Sequence, residues 1–169
     1  AFEIYYQELV TWNQKFNLTA ITDYEQVQVR HFLDSLSCLL AEEVRRALAR
    51  PEARAIDVGS GAGFPGIPLK LVCPGLQLTL LEATGKKVTF LEHMIRRLGL
   101  QRVTAVHARA EELAHEPGQR EAYDLALARA VAELPALVEY ALPFCRPGGW
   151  FVAQKGETGA AEAWNAGKA

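Results

Sequence analysis

Ala55-Ile56-Asp57-Val58-Gly59-Ser60-Gly61-Ala62-Gly63-Phe64-Pro65-Gly66 is the stretch that decides the fold of this chain. A short apolar strand stops in a glycine-dense turn, and an apolar helix starts directly behind it. Glycines let backbone N–H groups approach a ligand with no Cβ in the way. The helix that follows turns its positive N-terminal end toward a carboxylate or phosphate. Glu82 ends the next apolar strand, placed to hold ribose hydroxyls. Together the turn and the acid point to a nucleoside cofactor.

Outward from the turn, strand and helix alternate. Strands read at about 55–59, 77–82, 102–107, 123–128 and 150–154, and helices at about 65–73, 85–98, 109–115 and 131–145. Val88, Leu91, Ile95 and Leu98 mark the buried face of one helix, which Gly99 closes. Such alternation with short links predicts an α/β fold, a doubly wound and mostly parallel sheet with right-handed crossovers. Ligands on such sheets lie beyond the carboxyl ends of the strands.

Upstream, Phe2, Tyr5, Leu9, Trp12 and Phe16 recur at helical spacing, and Asn17-Leu18-Thr19 breaks that helix. Asp23 with Gln26 resembles a capping pair for a second helix. Its apolar stripe reads Phe32, Leu33, Leu36, Leu39, Leu40, Val44 and Leu48, and Pro51 ends it. The chain therefore divides into an N-terminal helical extension (1–50), a core (51–156) and an irregular tail (157–169) rich in Gly, Ala and Glu, in which only Trp164 is built to pack.

The 169 residues suffice for one domain with a core. Apolar content is 50% and charged content 22%, ordinary for a globular protein. No apolar run reaches membrane-spanning length and no signal-peptide pattern opens the chain, so no membrane partner is expected. Cys38, Cys73 and Cys145 lie far apart and lack metal spacing; they read as reduced thiols of a cytoplasmic protein, with no metal. Net charge is −2, so a nucleic-acid partner would need a local basic patch.

The glycine turn has two readings. Gly61, Gly63 and Gly66 fit the dinucleotide pattern G-x-G-x-x-G, but that alignment starts past the tight turn and puts Pro65 in the helix start. The run Asp57-x-Gly59-x-Gly61-x-Gly63 starts at the strand end instead, as in proteins that use S-adenosylmethionine (SAM). A tight connection with no ligand is the plain alternative, set against the conformational cost of three alternating glycines.

Seven blocks carry a more specific resemblance: Asn17-Leu18-Thr19, Arg30-His31-Phe32-Leu33-Asp34-Ser35, Gly59 to Gly66, Lys86-Lys87, Arg109-Ala110-Glu111, Arg129-Ala130 and Lys155-Gly156. In content and order they resemble the bacterial small-subunit ribosomal RNA methyltransferase G family, also called glucose-inhibited division protein B. The resemblance implies a class I SAM-dependent methyltransferase fold. It also implies transfer of a methyl group from SAM to N7 of one guanine in 16S rRNA, within the small ribosomal subunit, by a monomer. Carried over by position, cofactor contacts fall on Gly59, Phe64, Ala110, Glu111 and Arg129, with Glu82 at the ribose; the glycine-turn pattern adds Gly61 and Gly63. The tail beyond Gly156 departs from the family, whose members continue into further strands.

The residues agree with that chemistry. Guanine N7 has a free lone pair and attacks a sulfonium methyl without first losing a proton. Accordingly, the fourth strand ends in Leu127-Ala128-Arg129-Ala130, not in the Asn/Asp-Pro-Pro-aromatic motif used on exocyclic amines, and no cysteine sits where a cytosine C5 enzyme needs one. Catalysis then rests on positioning and electrostatics. Arg129 and His31 are the catalytic candidates. For Arg129 the plain alternative is an ion pair with Glu111 or Glu133, and for Arg30 a pair with Asp34. Arg30, Lys86, Lys87 and Lys155 are the candidates for RNA phosphates, although Lys86 and Lys87 also fit a solvated helix face. A nicotinamide-dependent oxidoreductase and a SAM enzyme acting on another RNA or a small molecule are the competing enzymes. A non-catalytic nucleotide-binding module is the competing binding protein.

Overall fold

A computed structural model describes residues 1–129 and 132–156. The tail 157–169 and the first residue of the helix expected from 131 lie outside the described residues. Five parallel strands, β1 (Arg54–Val58), β2 (Gln77–Glu82), β3 (Val103–His107), β4 (Tyr123–Arg129) and β5 (Cys145–Gln154), form one sheet in the order β3-β2-β1-β4-β5. The order reverses between β1 and β4, so the crevice at their carboxyl ends is where such a sheet takes its ligand.

Alternation along the strands gives the sheet two apolar faces. Ala55, Leu78, Leu80, Leu125 and Leu127 meet α1 (Phe2–Phe16), α5 (Gly66–Val72) and α6 (Gly85–Arg97), through Tyr5, Leu9, Leu69, Phe90 and Met94. Ile56, Val58, Leu81, Ala126 and Ala128 meet α7 (Ala110–Leu113) and α8 (Leu134–Ala141) through Leu113, Leu137 and Ala141. The N-terminal helices therefore share the first core. At its edge, Glu8 of α1 takes hydrogen bonds from His93 and Arg97 of α6, both at 2.8 Å. Burial pulls the Glu8 carboxyl up, and these two partners outweigh it, holding it below its ordinary value.

The structure departs from the sequence reading in three places. The second helix is not continuous. It runs as α2 (Tyr24–Val27), a π-helical turn (Gln28–Leu33), α3 (Asp34–Leu36) and a 3-10 turn (Ser37–Leu40), then turns extended at Ala41 before α4 (Glu42–Leu48). Side chains compete with the helical ladder here. Ser35 Oγ donates back to the His31 carbonyl at 2.5 Å, and Cys38 Sγ donates to the Ser35 carbonyl at 3.2 Å. The winding shifts the apolar stripe, so Phe32 and Val44 are buried while Leu33 is 62% and Leu40 82% exposed. The helix expected over 109–115 is the single turn α7. The helix expected to reach 145 stops at Ala141. Pro143 has no N–H to continue the ladder, Leu142–Phe144 is a 3-10 turn, and Cys145 opens β5 instead of lying on a helical stripe.

Candidate active site at the carboxyl end of the sheet

Two cavities open beside the switch point. The first, about 360 Å³, is walled by Val58, Gly59, Leu81, Ala83, Ala108, Arg109, Ala110, Glu111 and Tyr140. Its walls are largely backbone and small side chains from the ends of β1, β2 and β3 and from α7. Gly59 (φ 70°) and Gly61 (φ 58°) both adopt the left-handed region in which a Cβ is strained. A Cβ on Gly61 would find only the Gly59 carbonyl, at 3.9 Å. The turn is therefore open on that side.

The third glycine has a different reason. A Cβ on Gly63 (φ 94°) would stand 2.5 Å from Ile67 Cδ1 and 2.6 Å from Tyr5 Oη. Tyr5 comes from α1 and is fully buried, and its hydroxyl donates to the Ala62 carbonyl at 2.6 Å. Burial holds that phenol well above its ordinary pKa, so it stays a donor. Gly66 is likewise a packing position, where a Cβ would meet Asp57 Oδ2 at 2.7 Å.

Asp57 and Glu82 brace the turn from below and from the side. Asp57 Oδ2 accepts from Gly66 N at 2.9 Å, while the buried Oδ1 has no partner. Burial raises its pKa to about 7, opposed by the Gly66 N–H and by Arg129. Glu82 is buried between Leu81 and Ala83 of the cavity wall. Its Oε2 accepts from Gly61 N at 2.9 Å and its Oε1 from Thr84 N at 2.8 Å. Two amides fix the carboxylate, and each oxygen keeps a lone pair for an incoming hydroxyl.

The second cavity, about 310 Å³, is made of charged and polar side chains: Arg30, His31, Asp34, Arg129, Gln154 and Lys155, with Gly156. Arg129 is its hub. Its guanidinium donates to Asp34 Oδ2 at 2.9 Å and to the Arg30 carbonyl at 3.3 Å, contacts His31 Nδ1 at 3.3 Å, and lies 5.0 Å over the Phe64 ring. Its partner is thus Asp34, not Glu111 or Glu133, and Asp34 is spent on Arg129, not on Arg30.

His31 is stacked on Phe64 (4.6 Å, 17°), and Phe64 stacks in turn on Tyr5 (5.2 Å, 14°). The Arg129 guanidinium can only donate, so Nδ1 is the acceptor and Nε2–H donates to Thr19 Oγ1 at 2.8 Å. Burial and the Arg129 charge lower the His31 pKa to about 4. Both nitrogens of this neutral imidazole are engaged, Nδ1 by Arg129 and Nε2 by Thr19.

Gln154 was not singled out by sequence. Its Nε2 donates to the Asp34 carbonyl at 2.8 Å and to Ser37 Oγ at 3.3 Å, tying β5 to the broken helix. Lys155 Nζ donates to the Ala132 carbonyl at 2.6 Å.

The blocks on which the two cavities are built extend over the whole chain, and so does the match to known proteins. The family model described as rRNA small subunit methyltransferase G (GidB) matches residues 1–169. The chain belongs to the rRNA small subunit methyltransferase G family. Proteins named ribosomal RNA small subunit methyltransferase G are similar to it. That of Alkaliphilus metalliredigens is 55% identical over 148 residues, covering 88% of this chain and 60% of the relative. That of Roseiflexus castenholzii is 52% identical, covering 92% of this chain and 64% of the relative. The chain thus spans about three-fifths of the length of these relatives. Among solved structures, a precorrin-6y C5,15-methyltransferase from Geobacter metallireducens superposes with a TM-score of 0.56 at 16% identity, over 73% of this chain and 65% of that one. That likeness shows the class I methyltransferase fold.

Within this member of the G family, the structure sorts the residues expected at the site. Gly59, Ala110 and Glu111 line the first cavity, and Glu82 and Gly61 are bonded to each other beside it. Phe64 and Gly63 stand behind the turn, packed against α1. His31, Arg30, Arg129 and Lys155 meet in the second cavity. Lys86 and Lys87 occupy the first turn of α6 and line neither cavity.

Proposed function

We propose that the protein transfers a methyl group from SAM to N7 of a guanine in 16S rRNA, acting as a cytoplasmic monomer on the small ribosomal subunit. The observation that carries this reading is the juxtaposition at one switch point of a cavity beside the glycine turn and an arginine-centred one, in a chain of the G family. The first cavity has the size of a small-ligand site. Its donor set suits SAM: the cavity-lining backbone of Gly59 and the open side of Gly61 for the methionine part, and the free lone pairs of Glu82 for ribose hydroxyls. Bound there, SAM supplies an electrophilic sulfonium methyl.

The chain's own residues then have positioning tasks. Gly61 N and Thr84 N aim Glu82. Arg129, fixed by Asp34 and the Arg30 carbonyl, places a positive charge for guanine O6 or a flanking phosphate. It cannot donate to N7 during transfer, because that would occupy the attacking lone pair. His31 holds Arg129 through Nδ1, and no general base is needed. Arg30 and Lys155 offer charge to the RNA backbone from the same cavity, with Lys86 and Lys87 adding charge from α6. Residues 1–50 act as an extension that buttresses the glycine turn through Tyr5 and carries the RNA-facing Arg30.

The test is methyl transfer from labelled SAM to small subunits, with reductive aniline cleavage to map 7-methylguanine. Label at C5 of cytosine, or loss of activity in folded Cys73→Ala or Cys145→Ala, would refute the reading. Both thiols are held above their ordinary pKa by burial, as suits inert packing cysteines.

A further inference from the structure

The opposite end of the sheet carries a polar bay to which methyl transfer assigns no task. Arg54, Gln77, Thr79, Arg102, Thr104 and Tyr123 line, with Leu78, a cavity of about 280 Å³. Arg54 opens β1, Gln77 opens β2, Arg102 directly precedes β3 and Tyr123 opens β4, so the bay lies at the amino edge, away from the glycine turn. The register sets Arg54 beside Gln77, Ile56 beside Thr79, and Thr79 beside Thr104. Further along the same face come Ile56, Val58 and Leu81, all buried. One sheet face thus changes along its length from aliphatic to arginine and hydroxyl.

Solvent exposure alone explains polar residues there, but it does not explain the state of Arg54. Its backbone N–H donates to Asp124 Oδ2 at 2.9 Å. Its guanidinium carbon stands 4.9 Å from the centroid of the buried Tyr123 ring. Among the described residues the guanidinium has no carboxylate, carbonyl or hydroxyl partner. The neighbouring acids are already used. Asp124 binds Arg146 at 2.6 Å and Arg50 at 3.1 Å, and Glu52 binds Arg102 at 3.0 Å and Gln77 Nε2 at 2.7 Å. Four arginines meet two carboxylates at this edge, in a chain whose net charge is −2. A cation–π neighbour takes up none of the guanidinium N–H groups, which are left to meet an acceptor.

We propose that this bay is a phosphate-binding site. Arg54 grips a phosphate group by its guanidinium edge, and Arg102 with the hydroxyls of Thr79 and Thr104 completes the donor set. Donors arriving from three strands suit the several oxygens of a phosphate better than the two coplanar oxygens of a carboxylate. A nucleotide or an RNA backbone supplies the same group. The inference stands whether or not methyl transfer is the activity.

The experiment follows the arginine Nε–H and backbone amide resonances of the protein by NMR at low ionic strength. Inorganic phosphate is titrated first, then a short single-stranded RNA. Phosphate is expected to shift the Arg54 Nε–H and the Thr104 amide saturably, and Arg54→Gln to abolish the Thr104 shift. Thr104→Glu, at an exposed position, is expected to weaken the response at unchanged melting temperature. RNA that moves the same signals identifies a backbone phosphate as the source, whereas signals moved only by inorganic phosphate identify a free phosphate compound. An Arg54 signal that phosphate does not move, a shift that grows without saturating, or a Thr104 shift equal in wild type and Arg54→Gln would each overturn the proposal.

Discussion

The two cavities at the carboxyl end of the sheet are built in opposite ways. The first is lined by backbone and small side chains from the ends of β1, β2 and β3, together with Arg109, Glu111 and Tyr140, and beside it Glu82 is fixed by amides on either side. The second is made of long charged side chains whose bonds join residues 95 to 99 positions apart: Arg129 to Asp34, His31 and Arg30. The first takes its shape mainly from backbone at the ends of β1 and β2 and at the start of α7. The second is held together by an ion pair whose Asp34 partner is 50% exposed, so a competing anion can reach it.

The largest effect expected on this contrast is in the glycine turn. Gly63→Ala adds a Cβ 2.5 Å from Ile67 and 2.6 Å from Tyr5 in a left-handed conformation. Overpacking and strain together cost about 2–5 kcal/mol. Gly61→Ala carries only the strain, about 1–2 kcal/mol. Thermal unfolding of the two variants should therefore separate them by several degrees; equal losses would mean that α1 does not brace the turn.

The charged cavity should answer differently. Asp34→Ala frees Arg129 without opening the core. Stability should change by no more than about 1 kcal/mol, while kcat for methylation falls because Arg129 is no longer aimed. A loss confined to melting temperature, with kcat and KM unchanged, would make the pair purely structural.

A third difference is in pH. His31 is held at about 4 against an ordinary 6.5, so its contribution to stability is complete above pH 6.5 and is lost as pH falls toward 4. Asp57 is held at about 7 against an ordinary 3.8, so the folded state binds the extra proton and stability falls as pH rises from about 4 to 7. The two oppose each other over nearly the same window. Denaturant unfolding of His31→Gln between pH 4 and 7 should lose the acid-side decline and expose the Asp57 slope, with stability greater at the acid end. Asp57→Asn should do the reverse. Identical profiles for both variants and wild type would contradict the assignment.

The smallest effect is on salt dependence. Lys155→Ala should flatten the slope of log K for RNA against log salt by about 0.7–0.9, the share of one phosphate. An unchanged slope with lost SAM affinity would move Lys155 into the cofactor site.

The same contrast explains what the sequence could show. The alternation of strands and helices and the glycine turn are legible because each element is coded locally, by apolar alternation, by Gly99 after α6 and by the run from Asp57 to Gly66, whereas the order of the strands in the sheet is not. The second cavity was legible only as a set of candidates. Nothing in the spacing of Arg30 and Asp34 shows that the chain winds into a π-helical turn between them, or that Arg129 takes Asp34 away from its neighbour. The packing demand for glycine at Gly63 carried no local signal, because its neighbour Tyr5 lies on another helix. Gln154 carried no local signal, since its role depends on the approach of β5 to the broken helix.

The division of labour between the cavities is the central claim, and one paired binding measurement tests it most directly: SAM titrated by calorimetry and 16S rRNA binding at fixed salt, each on Glu82→Ala and on Arg30→Glu. Glu82→Ala should lose about 1.5–3 kcal/mol of charge-assisted hydrogen bonding to SAM, roughly 10- to 150-fold in affinity, and keep its RNA affinity. Arg30→Glu should keep SAM affinity and lose RNA affinity. A folded variant of either kind that loses both ligands together, or SAM affinity unchanged in Glu82→Ala, would contradict the account.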